Sequence, residues 1–251
     1  MSAPKPSVQL YTLRDFIAED LPGTIARVAQ LGFTQVEPYD FVARADEFAA
    51  ALAANNLTAP TAHAMMIGTD VRPVLEAAKM LGITNVIDPF SNPEEWGNKD
   101  AVAGFAAEIN RISEEAKAYG ITIGYHNHFW ELSNQIDGQT AFDYFIGLLN
   151  PDVVLEVDTY WTEVGGVNAA DYLRKHADRI VAIHVKDGKL GLEFPEIVEH
   201  QVPAGTGDVP VAAILAAAPQ AIPVVEFDKF NGGDLFAAVA QSLAFINGNR
   251  A

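Results

Sequence analysis

The stretch that decides the fold is "VLEAAKMLGITNVIDPF", residues 74–90. Its first half places apolar residues at helical spacing, and Gly82 follows where a helix commonly ends on a residue with positive φ. Its second half is a short apolar run with β-branched residues, which is typical of a strand covered on both faces. The stretch therefore predicts a helix, a glycine stop and a buried strand.

The same unit recurs along the chain. "IARVAQLGFTQVEPY" (25–39) and "ISEEAKAYGITIGYHNH" (112–128) again place a glycine between a helical segment and a β-rich run. The β-rich runs cover residues 7–14, 33–39, 57–64, 84–90, 121–128, 153–161, 179–187 and 222–228. This βα alternation predicts one α/β domain over residues 1–251, a single (β/α)8 TIM barrel. An open doubly wound sheet is the alternative, but no Gly-x-Gly-x-x-Gly follows the first run.

Composition and charge narrow the class of protein. The chain has 251 residues, 49% hydrophobic composition and a net charge of −17, with no Lys/Arg cluster, so it is not expected to bind nucleic acid. The absence of cysteine excludes disulfides and thiolate metal sites. The longest apolar runs are too short for a membrane helix, and "MSAPKPSVQLYTLRD" lacks an apolar signal core. These features predict a cytoplasmic protein without membrane partners, either monomeric or a homo-oligomer.

Polar residues collect where the β-rich runs end, which in a TIM barrel is the face that carries the active site. They are Glu37, His63, His126, His128, Glu156, Asp158, His184, Lys186, Glu226 and Asp228. A single such residue is readily explained as a side chain leaving the core for water. Carboxylates crowded on one rim, however, repel each other unless a positive group neutralises them. Asp, Glu and His without Cys suit one divalent ion: Mn²⁺, Mg²⁺, Co²⁺ or Zn²⁺.

The motifs in chain order resemble the xylose-isomerase-like TIM-barrel superfamily of sugar isomerases and epimerases. They are "VQLYTLRD", "VEPYDF", "TAHA", "YHNHFWE", "LEVDTYW", "IHVKDGK", "GTGDVPV" and "VVEFD". The resemblance covers nearly the whole chain and is specific for the superfamily, but much less so for the substrate. It implies a sugar or keto-sugar substrate and one divalent ion, with Mn²⁺ as the first choice.

The resemblance also implies the metal ligands. Asp158, His184 and Glu226 stand where the family places three of its four. The fourth is usually the Glu of a Glu-Asn-His motif, but this chain reads His126-Asn127-His128, a His-Asn-His-x-x-Glu variant. Either His126 is the fourth ligand or Glu131 supplies the carboxylate from the following loop, and Glu131 is the preferred prediction.

The resemblance implies roles for the remaining polar residues. Glu226 is the predicted catalytic base, and Glu131 or His126 is the second acid–base group. The predicted substrate-binding residues are Glu37, His63, His128, Trp161 and Lys186. Each has a plainer alternative: a solvated strand end for Glu37, a core histidine for His63, a ligand-orienting residue for His128, a core aromatic for Trp161 and an ion pair for Lys186.

The loop "PAGTGDVPVAAI", residues 203–214, has two interpretations. It could bind phosphate at a helix N-terminus. It contains no basic residue, however, so we expect instead that Asp208 caps the following helix and that the substrate is unphosphorylated.

Two reaction types remain open from the sequence. The first prediction is a metal-dependent isomerase or epimerase that removes a proton next to a carbonyl through an enediolate. Because a histidine can protonate a leaving oxygen, a lyase or dehydratase acting by β-elimination on a keto-sugar or 3-keto-glycoside is the alternative. A non-enzymatic sugar-binding barrel would bind no metal, and a DNA-repair endonuclease would need a basic groove.

Overall fold

A computed structural model of the protein describes residues 3–250. The strands are β1 (Ser7–Val8), β2 (Thr61–His63), β3 (Asn85–Asp88), β4 (Thr122–His126), β5 (Gln135–Ile136), β6 (Gln139–Thr140), β7 (Val154–Asp158), β8 (Ile180–Val185), β9 (Asp187–Gly188), β10 (Gln201–Val202) and β11 (Ile222–Val225). Seven of them form one parallel sheet in the order β1-β11-β8-β7-β4-β3-β2. The other four pair as two antiparallel ribbons, β5 with β6 and β9 with β10.

The segment 33–39 closes this sheet into a barrel. It contains no regular strand, but isolated parallel bridges join Glu37 to Gln9 on one side and Gln35 and Tyr39 to Thr58 and His63 on the other. Pro38 lacks a backbone N–H, which is one reason why a continuous hydrogen-bond ladder does not form here. The predicted single TIM-barrel fold is confirmed, with its second strand reduced to three bridges.

Helices surround the sheet on its outer face. They are α1 (Arg14–Glu19), α2 (Leu21–Gln30), α3 (Ala45–Ala54), α4 (Arg72–Leu81), α5 (Lys99–Ala116), α6 (Trp130–Ser133), α7 (Ala141–Leu148), α8 (Thr159–Val164), α9 (Ala169–Lys175), α10 (Val211–Ala217) and α11 (Leu235–Asn249). Short 3-10 helices cover Leu10–Leu13, Val42–Arg44, Pro93–Glu95, Lys117–Tyr119 and Glu196–His200. Among residues 3–250, none of these helices is long and apolar enough to cross a membrane.

The deciding stretch folds as its pattern predicts. Helix α4 buries Val74, Leu75, Ala77 and Ala78 on one face and ends at Gly82, whose φ is 71°. A side chain at this φ would be strained, which explains why glycine stands here. Strand β3 follows directly, so each helix–glycine–strand unit returns the chain to the start of the next parallel strand.

Candidate metal centre and cavity

Strand register brings the polar strand ends together. Asp158 of β7 is paired with His184 of β8, and His126 of β4 is paired with Glu156 of β7. Val224 of β11 lies beside His184, which places Glu226 two residues further towards the same end of the barrel. Because alternate residues of a strand share one face, these side chains point together into the barrel mouth.

Four of these side chains form what we name the rim group. One donor atom from each of His126, Asp158, His184 and Glu226 lies within 4.8 Å of the others, and all four residues are buried. His184 Nδ1 is 2.6 Å from Glu226 Oε2, and His126 Nε2 is 3.7 Å from Asp158 Oδ2. The structure therefore brings together the three residues that the resemblance implies as metal ligands, and His126 lies with them.

Glu131 lies elsewhere. It is fully buried at the start of α6, where its Oε2 accepts a hydrogen bond from the backbone N–H of His128 at 2.8 Å. Its Oε1 accepts one from the Tyr125 hydroxyl at 3.2 Å. Burial raises the pKa of Glu131 to about 8. The carboxylate thus holds the turn between β4 and α6 and is not among the rim group.

The ammonium group of Lys186 lies inside the rim group. Its Nζ is 2.6 Å from Glu226 Oε2, 2.8 Å from Asp158 Oδ2 and 2.9 Å from Asp228 Oδ2. Gln201 holds Asp228 from behind, donating to its Oδ2 at 2.7 Å and accepting from its backbone N–H at 2.8 Å. Lys186 therefore pairs with three carboxylates, so the ion pair that was the plainer alternative for this residue is present.

A second cluster, the inner group, lies one step deeper in the barrel. It consists of His63, His126, Glu156 and His184. Glu156 Oε1 is 2.5 Å from His63 Nε2 and 3.0 Å from both His126 Nδ1 and His184 Nε2. Glu156 was counted among the polar strand-end residues but was assigned no metal or substrate role, although its position two residues before Asp158 puts both on one face of β7.

Glu37 lies beside the inner group, away from solvent. It is fully buried; its Oε1 is 2.7 Å from His184 Nε2 and accepts a hydrogen bond from Gln9 at 2.8 Å. Its other oxygen accepts from the hydroxyl of Thr61. The plain alternative of a solvated strand end is therefore wrong for Glu37. It contacts the polar centre from below and does not line the cavity.

Burial and ion pairing set the charges in this centre. Burial alone would raise the pKa of Glu226, but Lys186 and His184 hold it well below its usual range. Burial raises the pKa of Asp158 to about 6 despite Lys186, and it lowers the pKa of His126 to about 3, helped by His184. For His184 burial lowers the pKa, but Glu156 and Glu226 raise it well above its ordinary value.

The donor set fits a divalent cation. Imidazole nitrogens and carboxylate oxygens are ligands that Zn²⁺ and Mn²⁺ accept without thiolates. Glu156 Oε2 is buried and has no hydrogen-bond partner among the described residues, so this carboxylate keeps a free coordinating atom. The rim group and the inner group share His126 and His184, each through opposite ring nitrogens.

His128 and Trp161 take different positions around this centre. His128 lines the cavity, and its ring stacks on Trp130 with centroids 4.3 Å apart. Its Nδ1 is buried without a hydrogen-bond partner in residues 3–250. Trp161 is buried under Lys186, whose Nζ lies 5.7 Å from the ring centroid, and it does not line the cavity. The structure thus places His128, but not Trp161, where a ligand could touch it.

Backbone N–H groups of the loop 203–214 donate hydrogen bonds to the buried carboxylate of Asp187. Asp187 is almost fully buried; its Oδ2 accepts from the backbone N–H groups of Gly205, Thr206 and Gly207 at 2.9–3.1 Å. Its Oδ1 accepts from those of Gly188 and Val209 at 2.8 and 3.0 Å. Successive backbone amides of this kind form an anion-binding concavity. Asp187 therefore occupies the position that a bound phosphate would need.

Asp208 does not cap the following helix, so that prediction is wrong. Helix α10 begins at Val211, after Pro210, which provides no side-chain cap. Asp208 instead accepts a hydrogen bond from the backbone N–H of Leu190 at 3.1 Å and pairs with Lys189 at 3.0 Å. Its distance from the helix start explains why it contacts the neighbouring loop.

A cavity of about 610 Å³ opens above the rim group. His63, His126, His128, Lys186, Glu226 and Asp228 line one part of it. The remaining lining is mostly apolar and includes Tyr11, Tyr39, Phe41, Val42, Met65 and Phe90. No sequence pattern singled out this apolar part, because its residues lie in separate loops that only the barrel brings together.

The barrel holds buried histidines, carboxylates and a lysine beneath a cavity at its mouth, which is the face where TIM-barrel enzymes carry their active sites. The chain belongs to the xylose isomerase-like TIM barrel family, whose model matches residues 25–222. The family assignment made from the motifs is thereby confirmed.

Individual relatives are more distant. An inosose dehydratase of Bacillus licheniformis is 29% identical over 103 residues, which is 41% of this chain and only 31% of that protein's length. A sugar phosphate isomerase/epimerase from Parabacteroides distasonis superposes with a TM-score of 0.79 at 20% identity, covering 98% of this chain and 94% of the other. The IolI protein with a bound zinc atom superposes with a TM-score of 0.66 at 16% identity, and the match covers 97% of this chain and 95% of the other.

Proposed function

We propose that the protein is a divalent-metal-dependent sugar isomerase or epimerase. The observation that carries the proposal is the rim group: His126, Asp158, His184 and Glu226 converge within 4.8 Å, and His126 and Glu226 line the cavity. These residues would hold one ion, with Mn²⁺ first and Mg²⁺, Co²⁺ or Zn²⁺ as alternatives. Such an ion polarises neighbouring oxygens of a keto or aldehydo sugar, which makes the adjacent C–H acidic.

The chain's own residues perform the proton transfers in this proposal. Glu226, kept ionised by Lys186 and His184, removes the proton from the carbon next to the carbonyl, and the electrons of that C–H bond form an enediolate. Glu131 is turned away from the cavity, so of the two residues predicted for the second acid–base role only His126 lines it. The Lys186 ammonium breaks its ion pair with Asp158 and then donates a hydrogen bond to a substrate oxygen.

A second candidate is β-elimination, and the position of Glu131 favours it. Since this carboxylate supports the β4–α6 turn, the cavity offers imidazoles in addition to Glu226, Asp228 and Asp40. Burial lowers the pKa of His63, but Glu156 and Glu37 raise it above its ordinary value, which favours this ring as the proton donor to a leaving oxygen. The partial relative named inosose dehydratase points the same way.

Solvent deuterium separates the two reactions. In buffered D₂O with Mn²⁺, isomerisation or epimerisation of a keto-sugar leaves deuterium on a substrate carbon, whereas elimination releases water or an aglycone and gives an unsaturated product. We expect about one divalent ion per chain and deuterium in recovered sugar, measured by metal analysis and ¹H NMR. A fully active protein after complete metal removal would exclude both mechanisms.

The fourth ligand can be tested by metal binding alone. We expect His126→Asn to weaken Mn²⁺ binding at least 100-fold, because it removes a nitrogen of the rim group. Glu131→Gln should change it less than tenfold, because a Gln amide oxygen can still accept from the His128 N–H. Isothermal titration calorimetry measures both, with circular dichroism to check folding. The reverse order of the two effects would restore Glu131 as the ligand.

A cytoplasmic location and a homo-oligomeric state stay predictions from the sequence. The proposal that the substrate is a small-molecule sugar is supported by the cavity and by the family.

A further inference from the structure

The cavity is divided into a polar part and an apolar part. The polar part comes mainly from β4, β8 and the segment after β11, and it contains the rim-group residues His126 and Glu226. The apolar part comes from the loops of the first half of the barrel, where Tyr11, Tyr39 and Phe90 are the aromatic members. Tyr11 and Tyr39 meet edge to face with ring centroids 5.3 Å apart. A ligand that fills the cavity therefore touches both surfaces.

The cavity is larger than a free sugar requires. Its volume of about 610 Å³ equals the share of roughly twenty liquid waters, taking about 30 Å³ each. A hexose has about a dozen non-hydrogen atoms, so a sugar held at the rim group leaves the apolar part unfilled. The ligand must extend beyond the sugar ring to cover it.

The apolar part leaves large side chains in contact with solvent. Tyr11 is 40% exposed, Met65 55% and Phe90 38%. Phe90 also packs its ring against His128, with centroids 6.1 Å apart, so the apolar surface continues directly into the polar centre. Covering contiguous exposed apolar surface is favourable, and such surface commonly marks a binding site.

The charged side chains that line the cavity do not suit a phosphate group, although the Arg14 guanidinium lies 4.3 Å from the ring centroid of Tyr11. Among the described residues that line it, Lys186 is the only Lys or Arg, and three carboxylates already surround its ammonium. Asp40, on the rim of the apolar part, adds negative charge. The amide loop that could have received a phosphate holds Asp187. Two separate features thus disfavour an anionic substituent.

We propose that the substrate carries an uncharged apolar ring of about phenyl size attached to its sugar, and that Tyr11, Tyr39 and Phe90 bind this ring. The inference rests on the proposed function, since it requires the sugar to lie at the rim group. It names the substrate class as an aryl-substituted sugar and excludes a sugar phosphate.

Binding of three simple probes tests this inference. Phenyl β-D-glucoside, methyl β-D-glucoside and glucose 6-phosphate are titrated into the Mn²⁺-loaded protein by isothermal titration calorimetry. We expect the phenyl glucoside to bind at least tenfold more tightly than the methyl glucoside, because the phenyl ring buries more apolar surface. Glucose 6-phosphate should bind no more tightly than the methyl glucoside.

A variant and a matched control locate the effect. Phe90→Ala should remove most of the phenyl preference, whereas Leu148→Ala, which shortens an exposed apolar side chain outside the cavity, should keep it. Equal affinities of the two glucosides, tighter binding of the phosphate or no binding of the phenyl glucoside would overturn the inference. Deuterium incorporation into a keto-sugar with no phenyl preference would refute this inference alone, and a phenyl preference without any turnover would refute the proposed function alone.

Discussion

Glu226→Gln should lower kcat by at least 1,000-fold at saturating Mn²⁺ and substrate. The substitution removes the proposed base from the cavity wall, and general-base catalysis typically accounts for about 10²–10⁴-fold in rate. It also removes one donor of the rim group, which adds to the loss. A glutamine has nearly the same shape, so the fold should persist.

Metal content and a surface control separate the two roles of Glu226. If the variant still binds about one Mn²⁺ per chain, the lost rate belongs to proton transfer. Glu199→Gln removes an exposed carboxylate that pairs with Lys229, and it should keep wild-type turnover. Full activity of Glu226→Gln would show that another group is the base.

Asp187→Ala should destabilise the protein by about 3 kcal/mol or more, because five backbone N–H groups lose their acceptor and two of them, those of Gly188 and Val209, are buried. Each buried donor left unpaired costs about 1–3 kcal/mol, although water that enters the space reduces the sum. Urea unfolding followed by circular dichroism measures the change in the free energy of unfolding.

Inorganic phosphate provides a direct check on this explanation. In Asp187→Ala, millimolar phosphate should raise the midpoint of thermal unfolding, because its oxygens can accept from the vacated amides. The wild type should show no such increase, since Asp187 already accepts these bonds. A variant that is as stable as the wild type, or that ignores phosphate, would mean that the loop is held by other contacts.

The sequence predicted the barrel because its information is local. In α4 and β3 the helix spacing, Gly82 and the apolar run all indicate the same elements, and these form at nearly the predicted positions. The ends of the runs were less predictable. Residues 159–161 were assigned to the sixth run, but Asp158 accepts a hydrogen bond from the Trp161 N–H and begins α8. Aspartate is a preferred helix N-cap residue, so Asp158 could have indicated that a helix begins here.

The residue types of the candidate site could be predicted from the sequence, but the positions of its side chains were harder to predict. Asp158, His184 and Glu226 converge because parallel strands end at one face, which the run order already implied. Glu131 could not be placed from spacing, since its direction depends on the Tyr125 hydroxyl and the His128 N–H. The apolar cavity lining depends on contacts between loops that are distant in sequence, and no periodic pattern encodes those.

The division of the barrel mouth has an evolutionary consequence. The side chains of Tyr11, Tyr39, Met65 and Phe90 line the cavity and belong to neither histidine–carboxylate cluster. Mutations at these four positions can accumulate without removing a member of the clusters, of which only His63 comes from the first half of the barrel. Gene duplicates can therefore diversify in what they accept while inheriting the same chemistry, and loop exchange between relatives offers a practical route to altered selectivity.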